Sequence, residues 1–533
     1  MSSIASTRSS ANTHAYLIGG GIASLAGAVF LIRDAHVPGE NITIFDENTM
    51  WGGSLDAAGD ASSGYYMRGG RMFEEHFACT YDLLSEIPSL DNPQKTAKDD
   101  LFDFYREANW YSHSRLVDKD GNIVDSSLMG LSLNDKLALA HLMATPEKSL
   151  GRKKIEDVFD SHFFKSNFWF MWCTMFAFEP WHSAIEMKRY LLRFIHLFPT
   201  INTMSGIYTT RYTQYDSMVR PIVTWLRARN VQFEANTRVL NLDIESSGDT
   251  HTVRHIELLR NGQNDAIALS ENDIVIMTNG SMTAASNFGS MHTAPVLNQG
   301  DPGGSWTLWS NVAKDRPVFG NPKVFSGDIH KSKWESFTLT TTYPDFPRLI
   351  EEFTHSKLGR GALVTFKESN WLLTVNFYYN PKIDGQPKEV FLWWGYGLFP
   401  DKEGNYVHKK MSECTGEEIL TEALNHFHFG DKIPAIIEQT TCIPCMMPYI
   451  TSQFMPRALG DRPAVVPQGS VNLGFVGQYA ETPDDVVFTV EYSVRTAQAA
   501  VYSLMGLDRA PIPMYQGKHD IKVLVNALKT SNS

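Results

Sequence analysis

Three consecutive glycines between an apolar segment and a small-residue segment give the clearest chemical signal of the chain. Residues 15–28 read Ala-Tyr-Leu-Ile-Gly-Gly-Gly-Ile-Ala-Ser-Leu-Ala-Gly-Ala. This order predicts a strand, a tight turn and a helix whose N-terminal N–H groups bind the phosphates of a dinucleotide. Gly19 allows the turn and Gly21 allows close approach of the backbone, while Ser24 replaces the usual third glycine. We expect contacts with the dinucleotide from Gly19, Gly20, Gly21, Ile22 and Ala23.

A second strand with two acids at its end strengthens this interpretation. Residues 41–45, Asn-Ile-Thr-Ile-Phe, are followed directly by Asp46 and Glu47. An acidic side chain at that point is placed to bind a ribose hydroxyl. A glycine-rich turn alone is also compatible with a hairpin or a loop without a ligand. The turn, the second strand and the acids together favour a dinucleotide site.

Composition excludes several classes of partner. The chain has 533 residues, is 43% hydrophobic and carries a net charge of -12. A nucleic-acid partner is not expected, because phosphate binding needs clustered Lys and Arg. No apolar run approaches the ~20 residues of a membrane span. Residues 1–13 are polar and lack the apolar core of a secretory signal, so we expect a disordered tail.

The cysteines predict neither a disulfide framework nor a metal site. There are five in the chain, and only Cys442 and Cys445 form a Cys-x-x-Cys pair. Zinc would need a second ligand pair at suitable spacing, which the sequence lacks. A redox pair stays open, but two ordinary reduced cysteines are favoured. This usage is typical of an intracellular, cytoplasmic protein.

The elements that must position these residues resemble a dinucleotide fold interrupted by insertions. An apolar strand at 273–280 ends in a glycine turn that returns the chain to the first sheet, and 471–477 forms another strand. A helix is expected over about 487–504, capped by Thr482 or Asp484. Between these parts lie strands with period-2 alternation, such as 371–377 and 390–394.

The region 95–205 is mainly helical in this interpretation and unusually aromatic. It contains Phe168-Trp169-Phe170-Met171-Trp172 and further aromatic residues up to Trp181. Such runs are typical of a packed core. A wide apolar cavity, or a face that touches a membrane, is equally compatible with the composition.

Long blocks of the chain resemble one family, the flavin-dependent oleate hydratases, also called myosin-cross-reactive antigens. The resemblance runs from about residue 14 to past residue 507. It rests on Tyr66-Met-Arg-Gly-Gly-Arg71, Ser166-Asn-Phe-Trp169, Thr174-Met-Phe-Ala-Phe-Glu179, Trp181-His-Ser-Ala184, Glu186-Met-Lys188, Leu398-Phe-Pro-Asp-Lys402, Glu413-Cys-Thr-Gly-Glu-Glu418, Met446-Met-Pro-Tyr-Ile-Thr451, Phe454-Met-Pro-Arg457 and Glu481-Thr-Pro483.

The resemblance implies addition of water to a cis double bond of a long-chain fatty acid such as oleate. It implies bound FAD and no net redox change, and an electron-rich, reduced flavin would stabilise positive charge on the alkene. The implied fold class is α/β, a split Rossmann-type FAD-binding domain with an inserted β-rich substrate domain and a helical, aromatic-rich region. Its expected parts are FAD-binding segments 14–95, 211–295 and 441–508, a helical lid region 96–210, a substrate region 296–440 and a C-terminal helical segment 509–533.

Further cofactor contacts are expected from glycine-rich and polar positions beside the flavin. Two glycines between two arginines permit close approach to a ring or phosphate. The expected residues are Gly53, Ser54, Arg68, Gly69, Gly70, Arg71, Val239, Gly280, Gly477, Thr482 and Asp485. For Arg68–Arg71 a turn with solvated arginines is the alternative.

The proton donor implied by the resemblance is Tyr190, which follows the Glu186-Met-Lys188 block. The common family pattern also has a glutamate directly after Arg-Gly-Gly-Arg, where this chain has Met72. If residues from Arg71 onward are helical, Glu75 returns to nearly the same face as Met72. Glu75 is therefore our first expectation for the water-activating base and Glu74 the second. Both acids could instead simply solvate a helix start.

The expected partners are a long-chain unsaturated fatty acid and water. Thr441 and Tyr449 could donate hydrogen bonds to the fatty-acid carboxylate. Peripheral membrane contact is plausible, and the chain could act as a monomer or a homodimer. The alternatives are an FAD-dependent oxidoreductase or double-bond isomerase acting on a lipid, and an inactive flavoprotein that binds lipid.

Overall fold

The computed structural model describes residues 8–107, 110–361 and 363–531. Within these ranges no helix combines the length and the apolarity that crossing a bilayer requires. Residues 1–7 of the expected disordered tail lie outside the described part. From residue 8 the tail is ordered, because Arg8 donates to the carbonyls of Leu504 and Val471, and Ser10–Asn12 form a 3-10 turn.

A five-stranded parallel sheet forms the core of the first unit. Its order is Leu473–Val476, Ile274–Thr278, Ala15–Ile18, Ile42–Phe45 and Gln232–Glu234. In the register, Leu17 lies between Ile276 and Ile44. Four of these strands are apolar and largely buried on both faces, as the interior of a parallel sheet requires, whereas the edge strand Gln232–Glu234 is partly exposed. Strands contributed from distant parts of the chain confirm the expected split Rossmann-type sheet.

A second sheet of seven mostly antiparallel strands forms the inserted unit. Its order is Asn287–Phe288, Thr440–Met447, Trp334–Thr341, Phe391–Gly397, Leu373–Phe377, Val364–Phe366 and Leu116–Val117. The strand Thr440–Met447 pairs with Trp334–Thr341 along its whole length. It therefore belongs to this sheet, not to the FAD-binding segment 441–508 in which we expected it.

The Cys-x-x-Cys pair lies on the strand Thr440–Met447. Cys442 packs into an apolar cluster with Phe337, whereas Cys445 packs into a different cluster with Met447. Side chains an odd number of residues apart on a strand point to opposite faces, so the two sulfurs cannot meet. Both thiols are free and buried, as the favoured interpretation held.

Smaller sheets and helices complete the two units. A hairpin pairs Ala57–Asp60 with Gly64–Met67, and a three-stranded sheet contains Thr237–Ser247, Thr250–Arg260 and Gln263–Ala268. The α-helices are Ile22–Arg33, Ala78–Leu84, Ala97–Arg106, Leu133–Ala144, Glu147–Leu150, Asn167–Phe176, Ala184–Arg193, Arg220–Arg227, Gly304–Ala313, Lys323–Ser326, Ile329–Ser332, Phe346–Thr354, Gly416–His426, Ile433–Glu438, Val490–Leu504 and Ile521–Ser531.

Two predicted helix starts were wrong. The helix expected from about 487 begins at Val490, and its cap is Thr489, whose hydroxyl accepts from the N–H of Tyr492. No helix begins at Arg71, because residues 71–77 run as an irregular loop and the helix starts at Ala78. The backbone of Phe73 instead pairs with that of Tyr208.

Candidate active site

A cavity of about 630 Å³, here called the nucleotide cavity, opens at the carboxyl ends of the parallel strands. This is where open α/β sheets bind dinucleotides. The structure brings together there most of the predicted cofactor residues, namely Gly19, Gly20, Gly21, Ile22, Ala23, Asp46, Glu47, Gly53, Ser54, Arg68, Val239, Gly280 and Gly477.

The glycine turn leaves helix donors and space for a ligand. Gly21 is the N-cap of helix Ile22–Arg33 and has no side chain that could accept from the first N–H groups of the helix. These N–H groups therefore remain available to a ligand. A Cβ on Gly20 would lie 2.5 Å from the Trp51 ring, and one on Gly53 would lie 3.1 Å from the Cα of Gly21. A side chain at Gly20 would press on Trp51, and Gly53 has a φ of +56° that favours glycine, so the backbone of this turn stays bare for close approach of a ligand.

The two acids after the second strand have different contacts. Asp46 accepts from the N–H of Gly20 at 2.6 Å, and burial raises its pKa. Glu47 accepts from the N–H of Gly304 at 3.1 Å, at the start of helix Gly304–Ala313. Both line the nucleotide cavity.

Some predicted cofactor residues lie elsewhere. Gly69, Gly70 and Arg71 line two neighbouring cavities instead. Thr482 and Asp485 line none of the three cavities: Asp485 is fully buried and pairs with Arg495 at 2.9 Å. Sequence reasoning missed cavity-lining residues outside the glycine turns, including Thr278, Gln478 and Ser493. Ser493 was missed because the helix was expected to begin near residue 487, whereas it begins at Val490 and places Ser493 in its first turn.

A mostly apolar cavity of about 90 Å³, here called the tyrosine cavity, contains the predicted proton donor. Tyr190 is fully buried on helix Ala184–Arg193, between the rings of Phe176 and Phe178 at 4.8 and 5.0 Å. Its hydroxyl donates to the carbonyl of Val487. Burial, with the charge of Glu186 second, raises the pKa of this phenol well above its usual value, so it is protonated at neutral pH.

Glu74 lines the same cavity and is 1% exposed. One carboxylate oxygen lies 3.0 Å from Arg193, and the other lies 2.8 Å from Nδ1 of His76 and 3.2 Å from Nε2 of His196. Burial alone would raise its pKa, but the two histidines and the guanidinium outweigh burial and hold it well below its usual value. Glu74 is therefore an ionised carboxylate beside an apolar space.

Glu75 lies outside the cavities. Its side chain is 62% exposed and lies 3.7 Å from Nε2 of His76. The expected placement of Glu75 beside Met72 relied on a helix that does not form. Met72 itself lies in the wall of the tyrosine cavity. Of the two carboxylates, Glu74 is the one that the structure brings to Tyr190.

A third cavity of about 50 Å³, here called the lysine cavity, shares Gly70, Arg71 and Met72 with the tyrosine cavity. Lys382 lines it, is buried, and donates to the carbonyls of Thr210 and Tyr212 at 2.8 and 2.9 Å. Burial lowers the pKa of this ammonium to about 7. A buried lysine gives no signal in sequence, so this group was missed.

The predicted carboxylate-binding pair, Thr441 and Tyr449, lines none of the three cavities. Thr441 is on the strand Thr440–Met447 with its methyl group toward Gly64. Tyr449 is buried, and its ring lies 5.3 Å from that of Trp306. The geometry therefore does not support a role of these two residues in binding the fatty-acid carboxylate.

Buried ion pairs fix the helix that carries Tyr190. Glu186 accepts from Arg457 at 2.7 Å and from Arg462 at 2.9 Å, and all three side chains are fully buried. Burial would raise the pKa of Glu186, but the charges of Arg462 and Arg457 lower it to about 2. The network ties helix Ala184–Arg193 to the segment before the last parallel strand.

The sheet, the glycine turn and the three adjoining cavities define a Rossmann-type dinucleotide-binding protein with a buried apolar site. A redesigned putrescine oxidase shares the fold at a TM-score of 0.56 and 12% identity, over 92% of this chain and 99% of that one. The model of the MCRA family matches residues 12–502. The chain belongs to that family.

Two relatives match over nearly their full lengths. The oleate hydratase of Streptococcus pyogenes serotype M49 (strain NZ131) is 42% identical over 525 residues, which are 96% of this chain and 88% of that protein. The linoleate hydratase of Lactiplantibacillus plantarum is 31% identical over 561 residues, which are 97% of this chain and 98% of that protein.

Proposed function

We propose that the chain is an FAD-dependent fatty-acid hydratase that adds water to a cis double bond of a long-chain unsaturated fatty acid. One observation carries this proposal: a buried, protonated Tyr190 and an ionised Glu74 line the same apolar cavity. Arg71 in the wall of that cavity donates to the sulfur of Met282 in the wall of the nucleotide cavity. Hydration of an isolated alkene needs an acid, a base and a dry space for the chain. The names of the two hydratase relatives point to the same reaction.

The residues that line the nucleotide cavity suit FAD. The helix start at Gly21 offers N–H donors that suit a pyrophosphate, and the carboxylates of Asp46 and Glu47 in the cavity wall suit the hydroxyls of a ribose. Arg68 reaches this cavity and bonds to Asp56 at 2.9 Å. When bound in its reduced form, FAD supplies electron density that stabilises a cationic carbon.

Tyr190 acts as the general acid in this proposal. Its O–H bond breaks while a C–H bond forms on one alkene carbon, and positive charge develops on the other carbon. Glu74 holds a water molecule and accepts its proton while the new C–O bond forms. Glu74 thus replaces our sequence-based preference for Glu75, because only Glu74 lines the cavity.

The lysine cavity is the proposed site of the fatty-acid carboxylate. Lys382 offers a cationic group there, and the guanidinium of Arg360 lines the same space. One N–H-bearing nitrogen of Arg360, Nη1, is buried without a partner among the described residues. The tyrosine cavity and the lysine cavity are each smaller than the ~300 Å³ of an ordinary ligand pocket. Their walls must therefore move to admit a fatty acid.

The proposal is tested by product mass. Purified protein is incubated with oleate, FAD and a reductant in ¹⁸O-labelled water, and the lipid extract is analysed by mass spectrometry. We expect a hydroxy fatty acid that carries oxygen from water. Loss of two hydrogens would identify a desaturase, an isomer of unchanged mass an isomerase, and unaltered oleate a binding protein; each would overturn the proposal.

A matched pair of variants tests the role of the phenol. Tyr190→Phe should lower kcat by at least about 10²-fold, because the acid is lost while the ring packing is kept. Tyr396→Phe is the control, since Tyr396 lines the same cavity but donates its hydroxyl to the carbonyl of Thr174. Equal losses in both variants would reject the specific role of Tyr190. Bound FAD and thermal stability are measured alongside.

A further inference from the structure

A chain of polar contacts leads from the tyrosine cavity to the protein surface. The same oxygen of Glu74 lies 2.8 Å from Nδ1 of His76 and 3.2 Å from Nε2 of His196, and it accepts from the backbone N–H of His76 at 2.9 Å. The side chain of His76 is 25% exposed, whereas that of Glu74 is 2% exposed. The imidazole of His76 therefore connects a cavity carboxylate with solvent, while the largely buried imidazole of His196 contacts the same carboxylate.

The imidazole of His196 has one ring nitrogen without a contact to another polar group of the described residues. Nδ1 of His196 is buried and has no hydrogen-bond partner within the described ranges. A buried ring nitrogen in that state is a place for a water or a proton. The two imidazoles meet edge to face at 4.9 Å, and Tyr515 stacks on His76 at 3.8 Å. The hydroxyl of Tyr81 donates to the carbonyl of Glu74, which fixes the backbone there.

Charged side chains surround the two imidazoles. Glu74 carries the nearest negative charge, and Glu75 lies 3.7 Å from Nε2 of His76 on the solvent side. Arg193 lies 3.0 Å from the other oxygen of Glu74 and is 3.7 Å from Asp485. The ring of His76 thus lies between the carboxylates of Glu74 and Glu75, while Arg193 lies between Glu74 and Asp485.

We propose that His76 and His196 store the proton that water releases during hydration, with Glu74 passing it to them. This proposal rests on the proposed function. The water O–H bond breaks as the C–O bond forms, and the proton moves through Glu74 to an imidazole. The phenolate left at Tyr190 later takes this proton back through water in the cavity. One water is added to one alkene, and nothing is oxidised or reduced.

A divalent cation is the competing occupant of this cluster. The ligand atoms of Glu74, His76 and His196 all lie within 4.8 Å of one another. The guanidinium of Arg193, bonded to the same carboxylate, would repel such an ion. Both imidazoles are within hydrogen-bond distance of one oxygen of Glu74, an arrangement that suits a shared proton.

The test is chemical rescue of a histidine variant in the FAD-loaded enzyme. His76→Ala should lower kcat by about 10²-fold with little change in KM, and added imidazole should restore turnover because His76 is reachable from solvent. Rescue should follow the unprotonated fraction of the added imidazole. His292→Ala, at an exposed histidine remote from the cavities, is the control and should behave as the unaltered enzyme.

A second variant separates proton storage from support of the fold. His76→Gln keeps an amide next to Glu74 but cannot hold a proton at neutral pH. It should lose kcat as His76→Ala does, and the acidic limb of the kcat profile should change in both, while thermal stability stays near that of the unaltered protein. A fall in stability without rescue by imidazole would mean a structural role and overturn the proposal.

The outcomes distinguish this proposal from the proposed function. If the unaltered protein hydrates oleate and the His76 variants keep full kcat and an unchanged pH profile, the proton store is wrong and the hydratase stands. If the unaltered protein hydrates nothing, the hydratase itself fails. Loss of activity on treatment with EDTA, with recovery on added Zn²⁺, would assign the cluster to a metal and overturn the proton store.

Discussion

At the scale of single residues, the position of a carboxylate decides its chemistry. Glu74 and Glu75 are neighbours in sequence, yet one faces an apolar cavity and the other faces solvent. Only a carboxylate that lines the cavity can hold the water that attacks an alkene carbon. Met72 in the wall of that cavity carries no acid, and Glu74 is the acidic residue among the described residues that line it.

Substitution of each acid by its amide measures this difference. Glu74→Gln should lower kcat by about 10²-fold or more, since an amide cannot accept the proton of water. Glu75→Gln should stay within about twofold, because its side chain is exposed. Steady-state kinetics with oleate give the result, and FAD absorbance checks the fold. Equal activity of both variants would move the base to another residue.

Glu335 is a buried acid outside the proposed chemistry. Neither carboxyl oxygen has a partner in the described part of the chain, and burial raises the pKa well above its usual value. The folded state thus keeps a proton that the unfolded state loses above about pH 4.5, so this group lowers stability as pH rises above that value. Glu335→Gln should raise the unfolding free energy by about 1–3 kcal/mol at pH 7 and flatten its pH dependence. Thermal melts at pH 5 and pH 8 test this, and an unchanged difference between the two would contradict it.

At the scale of elements, the apolar strands and the glycine turn were predictable, because their patterns depend on local geometry. The strands near 15, 42, 274 and 473 all formed where expected. The loop after Arg71 was not predictable, since its backbone pairs with Tyr208, far away in sequence. The proposed role of Lys382 was not predictable for a similar reason. Segments distant in sequence bury this lysine in the cavity wall, and its local sequence pattern does not show this.

The loop after strand Leu373–Phe377 carries that lysine, and pH tests its proposed role. Because burial lowers the pKa of Lys382 to about 7, the cationic form that binds a carboxylate is lost above that pH. KM for oleate should therefore rise with pH above about 7. Lys382→Met should raise KM about tenfold at pH 6.5 and remove this dependence. Lys409→Met, which breaks an exposed pair with Glu418, is the control. A KM that does not respond in Lys382→Met would place the carboxylate elsewhere.

At the scale of the whole molecule, buried charges join the units around the site. Glu186 on the helix of Tyr190 meets Arg457 and Arg462, which come from a segment some 270 residues later. Removal of one partner of a buried pair is strongly destabilising, because the other charges stay uncompensated. The position of the phenol therefore depends on contacts that only the folded chain brings together.

This network predicts a large loss of stability on a small change. Glu186→Gln should lower the unfolding free energy by about 3–5 kcal/mol at pH 7. In the unaltered protein, the pKa of about 2 means that the contribution is complete above about pH 4.5 and is lost as pH falls toward 2. Denaturant melts at pH 7 and pH 3 check both statements. A loss at pH 3 as large as that at pH 7 would contradict the assignment.

The seven-stranded sheet has one apolar cluster on each face, with Cys442 on one side and Cys445 on the other. Both clusters pack against the same strands, so loss of packing on one face would also disturb the packing on the other face. Heating should consequently produce a single sharp melting event across both units, without a half-folded form that keeps only the nucleotide-binding part.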